Sequence, residues 1–259
     1  MLTESNRRRI PAGSVLTAGS VVLLAGVLGA PVAAQGPAPG RQGEAYELAC
    51  APRAVRTVPT DPVRLQGASL AERSLFGPGD TLLLNRGSDQ GLEVGQQYFV
   101  RRSVTSLEYL AGSKEPWVQV HTAGWLRIAE VHPKSARAAV VHACDAFESN
   151  DYLEPFELPV VPEAMNPPGQ PDFTTPGHVL VVDERRVMAG TRSFVVVDRG
   201  SDHGLKPGQR LTVFRRVGEE TIDRIGEATV MIVLPESATV RVDRSTQVIF
   251  TGDLVAFHR

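Results

Sequence analysis

The chain has 259 residues with Lys+Arg 27 against Asp+Glu 29 and a formal net charge of −2, a balance that argues against nucleic acid as a partner, because such affinity is built on neutralising phosphates. Hydrophobic residues at 42% and charged residues at 22% are enough for a packed core and exclude a disordered chain or a membrane bundle. Gly 24 and Pro 19 together exceed ordinary usage and predict many short elements joined by turns, in a mostly β protein.

At the N-terminus, Arg7, Arg8 and Arg9 precede an uncharged apolar run from Val15 to Ala34, the pattern of a secretory signal. Val32 and Ala34 suit the two specificity positions of a signal peptidase, so residues 1–34 read as a signal peptide cleaved after Ala34. The alternative is an uncleaved anchor, which Gly26, Gly29 and Pro31 weaken; membrane attachment is expected only through that segment. Removing it takes away three Arg and one Glu, leaving a mildly acidic body. Residues 35–43 then read as a flexible tether, with folding from Glu44 onward.

Two cysteines, Cys50 and Cys144, are present. An even count in an exported chain predicts a disulfide rather than a metal site, which needs more ligands nearby. Lipid attachment at Cys50 is the weaker reading, since Glu44, Tyr46 and Glu47 separate it from the apolar run. Between the cysteines, Ser69 to Leu75 carries a capping box in Ser69 and Glu72 and predicts one short helix.

The organising feature is an internal repeat. Asn85-Arg-Gly-Ser-Asp-Gln-Gly-Leu-Glu-Val-Gly-Gln96 matches Asp198-Arg-Gly-Ser-Asp-His-Gly-Leu-Lys-Pro-Gly-Gln209 at eight of twelve positions. A second match, at a shorter offset, pairs Gly124 with Gly226, Pro133 with Pro235, Val140 with Val242 and Asp151 with Asp253. Each copy reads as a strand (81–84; 193–197), the Gly-rich turn, and a second strand (97–101; 210–214). A third (124–131; 226–234), a fourth (136–141; 238–242) and a closing strand (152–156; 254–257) follow. The fold expected is therefore all-β, with two tandem copies of a small antiparallel barrel or sandwich. The first module spans 44–156, the second 178–259, and a proline-dense linker, 157–177, joins them.

The repeated turn leads from strand to strand. A phosphate-binding loop leads from strand to helix, so turn chemistry is the better reading for Gly87, Asp89, Gly91 and Gly95 and for Gly200, Asp202, Gly204 and Gly208. Gly91 and Gly204 are positions for positive φ, Gly95 and Gly208 for type II turns, and Asp89 and Asp202 for side-chain bonds to the downstream backbone. The nucleophile and metal motifs G-x-S-x-G, H-E-x-x-H, C-x-x-C and the P-loop do not occur. Ser201, Asp202 and His203 are no triad, because triad members meet across a fold and not along one turn. No catalytic, cofactor-binding or metal-ligating residue is expected.

The copies differ where the first holds an 11-residue excess between Arg102 and Gly124, including Tyr109 and Trp117. Aromatics on a loop favour a partner contact, with protein or glycan. The competing reading folds Trp117 back over one end of its own barrel.

Arg86-Gly-Ser-Asp-x-Gly-Leu-x-x-Gly-Gln96, followed by a strand ending in Arg, resembles β-modules of bacterial envelope proteins. These are the C-terminal domain of the flagellar assembly protein T family, the barrels of MreC, and modules accompanying LysM domains. The resemblance implies a non-catalytic periplasmic module that holds other envelope components. The function expected is thus a periplasmic or secreted scaffold or adaptor making protein contacts, with a glycan- or peptidoglycan-binding protein using Tyr109 and Trp117 as the alternative and a hydrolase third.

Overall fold

Alternating apolar positions in short, β-branched stretches dominate the chain after residue 50, and they form strands. The computed structural model describes residues 39–68, 75–107, 116–182, 188–218 and 221–259. A single α-helix among them, α1 (Pro39–Ala49), precedes β1 (Arg53–Val55), β2 (Leu65–Ala68), β3 (Leu75–Phe76), β4 (Thr81–Leu84), β5 (Gln97–Leu107), β6 (Trp117–Val131), β7 (Ala136–Ala143), β8 (Phe147–Glu148) and β9 (Tyr152–Pro155). The remainder gives β10 (Pro171–Val181), β11 (Phe194–Val197), β12 (Arg210–Val217), β13 (Thr221–Val233), β14 (Ala238–Ser245) and β15 (Leu254–His258).

The first sheet runs β2-β4-β7-β6-β5-β9, with β1 added to β6. Its two ends meet through the Leu65 N–H to the Asp151 carbonyl (2.9 Å) and the Leu153 N–H to the Val63 carbonyl (2.8 Å). The second sheet is a closed antiparallel barrel, β10-β11-β14-β13-β12-β15. Closure leaves no unpaired edge to template aggregation. Period-two alternation fills each interior. Leu82, Leu84, Val100, Leu126, Ile128, Ala136 and Ala138 are buried in the first, and Val195, Val197, Leu211, Val213, Val230, Val240 and Val255 in the second.

Strands were expected at 81–84, 97–101, 210–214, 136–141, 152–156 and 254–257, and each is there. The strands expected at 124–131 and 226–234 are longer than their pattern, as β6 and β13 begin at Trp117 and Thr221. Two boundaries are corrected. The tether expected over 35–43 gives way to α1 from Pro39, because Ala45, Leu48 and Ala49 are buried and docking supplies what the Gly- and Pro-containing sequence lacks in helix propensity. Proline is tolerated in a first helical turn, where its missing N–H would be unsatisfied anyway. The linker expected to 177 ends earlier, as β10 begins at Pro171. β10 pairs with β15 at Pro171–Asp172 and again at Gly177–His178, with an irregularity between them, which accommodates Pro176, a residue unable to donate to a ladder. Leu158 and Val161 in that segment are half-buried against neighbouring clusters. The helix expected at 69–75 and the signal segment lie outside the described residues, except Leu75, which opens β3.

The two sheets belong to one compact unit. Trp117 and Ala54 of the first pack with Leu180, Val181 and Val196 of the second, and Leu48 and Ala51 pack against Met231. The polar part of this seam is satisfied too. Ser237 Oγ donates to the Ala54 carbonyl (2.6 Å) and Thr239 Oγ1 to the Pro52 carbonyl (2.8 Å).

Candidate functional site

The Gly-rich turns come first, because phosphate binding would need their amides free. Each is a single 3-10 turn, Ser88–Gln90 or Ser201–His203, and its amides are spent internally. The Ser88 and Asp89 N–H groups donate to the His132 and Pro133 carbonyls at 2.9 and 3.0 Å, and those of Ser201 and Asp202 to the Leu234 and Pro235 carbonyls at 2.9 Å each. The turn therefore pins the loop joining the third and fourth strands of its own sheet. Gly91 and Gly204 have φ of 82° and 81°, as expected, and Gly95 and Gly208 have 93° and 83°. A Cβ on Gly87 would collide with the His132 carbonyl, and one on Gly200 with that of Leu234, so these two glycines permit close backbone approach. The bonds expected from Asp89 and Asp202 are not made. Instead the Gly87 N–H donates to Gln90 Oε1 (3.0 Å) and the Gly200 N–H to His203 Nδ1 (3.2 Å), since residue three of a 3-10 turn reaches back to its start.

A second device recurs in both sheets and was missed in the sequence. Arg102 grips Asp151 with Nε to Oδ1 at 2.7 Å and Nη2 to Oδ2 at 2.9 Å, and Arg215 grips Asp253 at 2.6 and 2.7 Å. Each carboxylate also accepts a backbone N–H, from Glu148 or Phe250, at 2.9 and 2.8 Å. Asp253 holds Arg215 above its ordinary pKa. The available signal was the alignment of Asp151 with Asp253 and of Arg102 with Arg215; the bond itself follows from register.

One open cleft, of about 750 Å³, lies where α1 and the end of β7 face the residues before β11. Its lining includes Tyr46, Glu47, His142, Arg192 and Phe194, with the Cys50–Cys144 disulfide among them. The cysteines are joined as expected, with Cα atoms 5.6 Å apart, which fastens the end of α1 to β7. Behind them His142 stacks on Trp125 (4.3 Å between centroids, 21° between planes), and Tyr46 meets the Trp125 edge at 4.9 Å. Burial holds the His142 imidazole below its ordinary pKa. Cys50, His142 and Cys144 offer donor atoms within 4.8 Å of one another, but bonded sulfurs present no thiolate to a metal. Arg192 sits beside the cleft at φ 70°, its N–H donating to the Val242 carbonyl at 2.7 Å.

The expected partner contact at Trp117 is corrected. Trp117 is 2% exposed and lies in the seam with the Arg56 guanidinium 3.6 Å from its ring centre, while Arg56 Nε reaches Glu236 at 3.0 Å. It does fold inwards, but against the second barrel rather than over its own, because the β5–β6 hairpin extends beyond the first sheet to meet β10 and β11. Tyr109 lies outside the described residues. No described helix is long and apolar enough to cross a membrane. No family model matches the chain, and no curated protein matches it.

Proposed function

We propose that the protein is an exported, non-catalytic scaffold or adaptor of the cell envelope, acting in the periplasm after cleavage behind Ala34 and holding a partner protein in the cleft beside the disulfide. The observation that carries this reading is the seam. A chain that needed two independent modules would leave a solvated linker, whereas here Trp117, Leu48 and two side-chain-to-backbone bonds hold both sheets in one fixed arrangement. Fixed geometry lowers the ordering cost of binding. The cleft adds an aromatic wall with Glu47 and Arg192 exposed at its margin, the mixture of anchors and polar groups that protein contacts favour.

Duplication of one module is part of the same proposal. Its support is the common strand order, the paired turns and the paired Arg–Asp grips. So is the first residue of the repeat: Asn85 Oδ1 accepts the Arg64 N–H at 2.8 Å, and Asp198 Oδ1 accepts the His178 N–H at 2.7 Å. The resemblance to envelope β-modules points the same way. The glycan alternative loses the exposed Trp117 it relied on.

The test is capture from envelope extracts beside sedimentation with peptidoglycan. The reading expects a discrete protein partner whose capture falls at least tenfold with Tyr46→Ala or Arg192→Glu. Sedimentation with peptidoglycan alone, or turnover of a cell-wall substrate, contradicts it.

A further inference from the structure

Away from the cleft, the outer face of the first sheet buries more positive charge than it neutralises. The register places Tyr152 of β9 opposite Arg101 of β5, Arg101 opposite Thr122 of β6, and Arg53 of β1 opposite Val120 of β6. Since residues two apart share a face, these side chains form one row across four strands. The Arg101 side chain has no solvent exposure, and the carboxylate beside it is Glu154, 3.4 Å from Nε and 30% exposed. Arg101 also bonds Thr122 Oγ1 through Nη1 and lies over the Phe99 ring, 4.2 Å from its centre.

Among the described residues, Glu154 is the one acidic group that Arg101 and Tyr152 share, and it does not satisfy their remaining donors. Arg101 Nε and Nη2, Arg53 Nε and the Tyr152 hydroxyl are all buried without a hydrogen bond. Burial, then the neighbouring Arg53 charge, lowers the Arg101 pKa to about 9, and burial also lowers that of Arg53. Two guanidiniums against one carboxylate leave one positive charge uncompensated, and buried unpaired charges and donors are both costly. One species corrects both deficits.

We propose that Arg53, Arg101 and Tyr152 form a binding site for a single small oxyanion, a carboxylate or phosphate group, entering beside Glu154. The charge sum sets the anion's net charge near −1. The donor set, two guanidiniums and a hydroxyl, suits an anion with at least two oxygens, because guanidinium donors engage paired oxygens more tightly than a single point charge. This inference does not depend on the scaffold reading, since the row lies on β1, β5, β6 and β9 and shares no residue with the cleft.

The experiment is thermal unfolding of the full chain, titrated with sodium acetate, sodium phosphate or sodium chloride at matched ionic strength. Acetate and phosphate separate an organic carboxylate from an inorganic ion as the source. The expected result is a saturable rise of the midpoint, about 5 °C at a hundredfold excess over Kd, with one or both oxyanions but not with chloride. That rise disappears in Arg101→Met and in Arg53→Met. Arg101→Met replaces a buried charge by an apolar chain of similar length, a change that buried ion clusters tolerate. Should it fail to fold, Arg53→Met and calorimetric titration of the unsubstituted chain carry the test. Equal responses to all three salts, an undiminished response in the folded variants, or no heat of binding would overturn the proposal.

Discussion

At the scale of single residues, stability rests on close backbone approach and on paired charges. Gly87 and Gly91 stand four residues apart in one turn but are needed for different reasons, and the difference is measurable. Gly91→Ala, in open space at φ 82°, should cost only about 1–2 kcal/mol, the usual penalty for a Cβ in the left-handed region. Gly87→Ala drives a Cβ into the His132 carbonyl and should cost more than about 3 kcal/mol, beyond common overpacking; urea unfolding of both variants gives the comparison. Arg102→Ala strands Asp151, which is 2% exposed, and should lose about 3 kcal/mol. The double variant Arg102→Ala/Asp151→Ala should lose less than the two single changes added together. The sequence showed the glycines and the aligned Asp151 and Asp253, yet it could not show which arginine meets which aspartate. That depends on strand register and not on spacing along one chain.

At the scale of elements, α1 and β10 are where pattern reading fell short. α1 begins in a stretch rich in Gly and Pro and gains its helical state from packing Leu48 and Ala49, a tertiary effect that propensity does not carry. β10 contains two prolines, Pro171 and Pro176, normally a sign against a strand, and survives because its pairing is interrupted around Pro176. The disulfide fixes the end of α1 across a separation of 94 residues. Reduction should therefore lower stability by on the order of 4 kcal/mol, read as the fall in midpoint with and without dithiothreitol. His142, beside it, carries a pH dependence. Its pKa in the fold lies below the ordinary 6.5, so the unfolded chain binds more protons as pH falls through that value. Stability is then full above about pH 6.5 and declines below it. His142→Phe, keeping a ring against Trp125, should flatten the melting-temperature profile between pH 7 and 5; an unchanged slope would remove His142 from the account.

At the scale of the whole molecule, what was legible was the content of each half, and what was not was the join between them. Alternation and the repeated turn located most long strands, since both are local in sequence. The seam is assembled from β1, the β5–β6 hairpin, β10, β11 and β14, none of which signals in its own pattern that it faces another sheet. Trp117→Ala should cost about 3–5 kcal/mol and, because the residue joins the two sheets, should split a single unfolding transition into two; calorimetry reads both effects.

The most direct measurement for a rigid scaffold with a partner-holding cleft is site-specific photo-crosslinking in cells, with the photoreactive residue at position 192 beside the cleft and, as control, at position 160, which is exposed and does not line it. A discrete protein adduct at 192, absent at 160, is the predicted result. No adduct at 192, the same adducts at both positions, or attachment to glycan alone would contradict it.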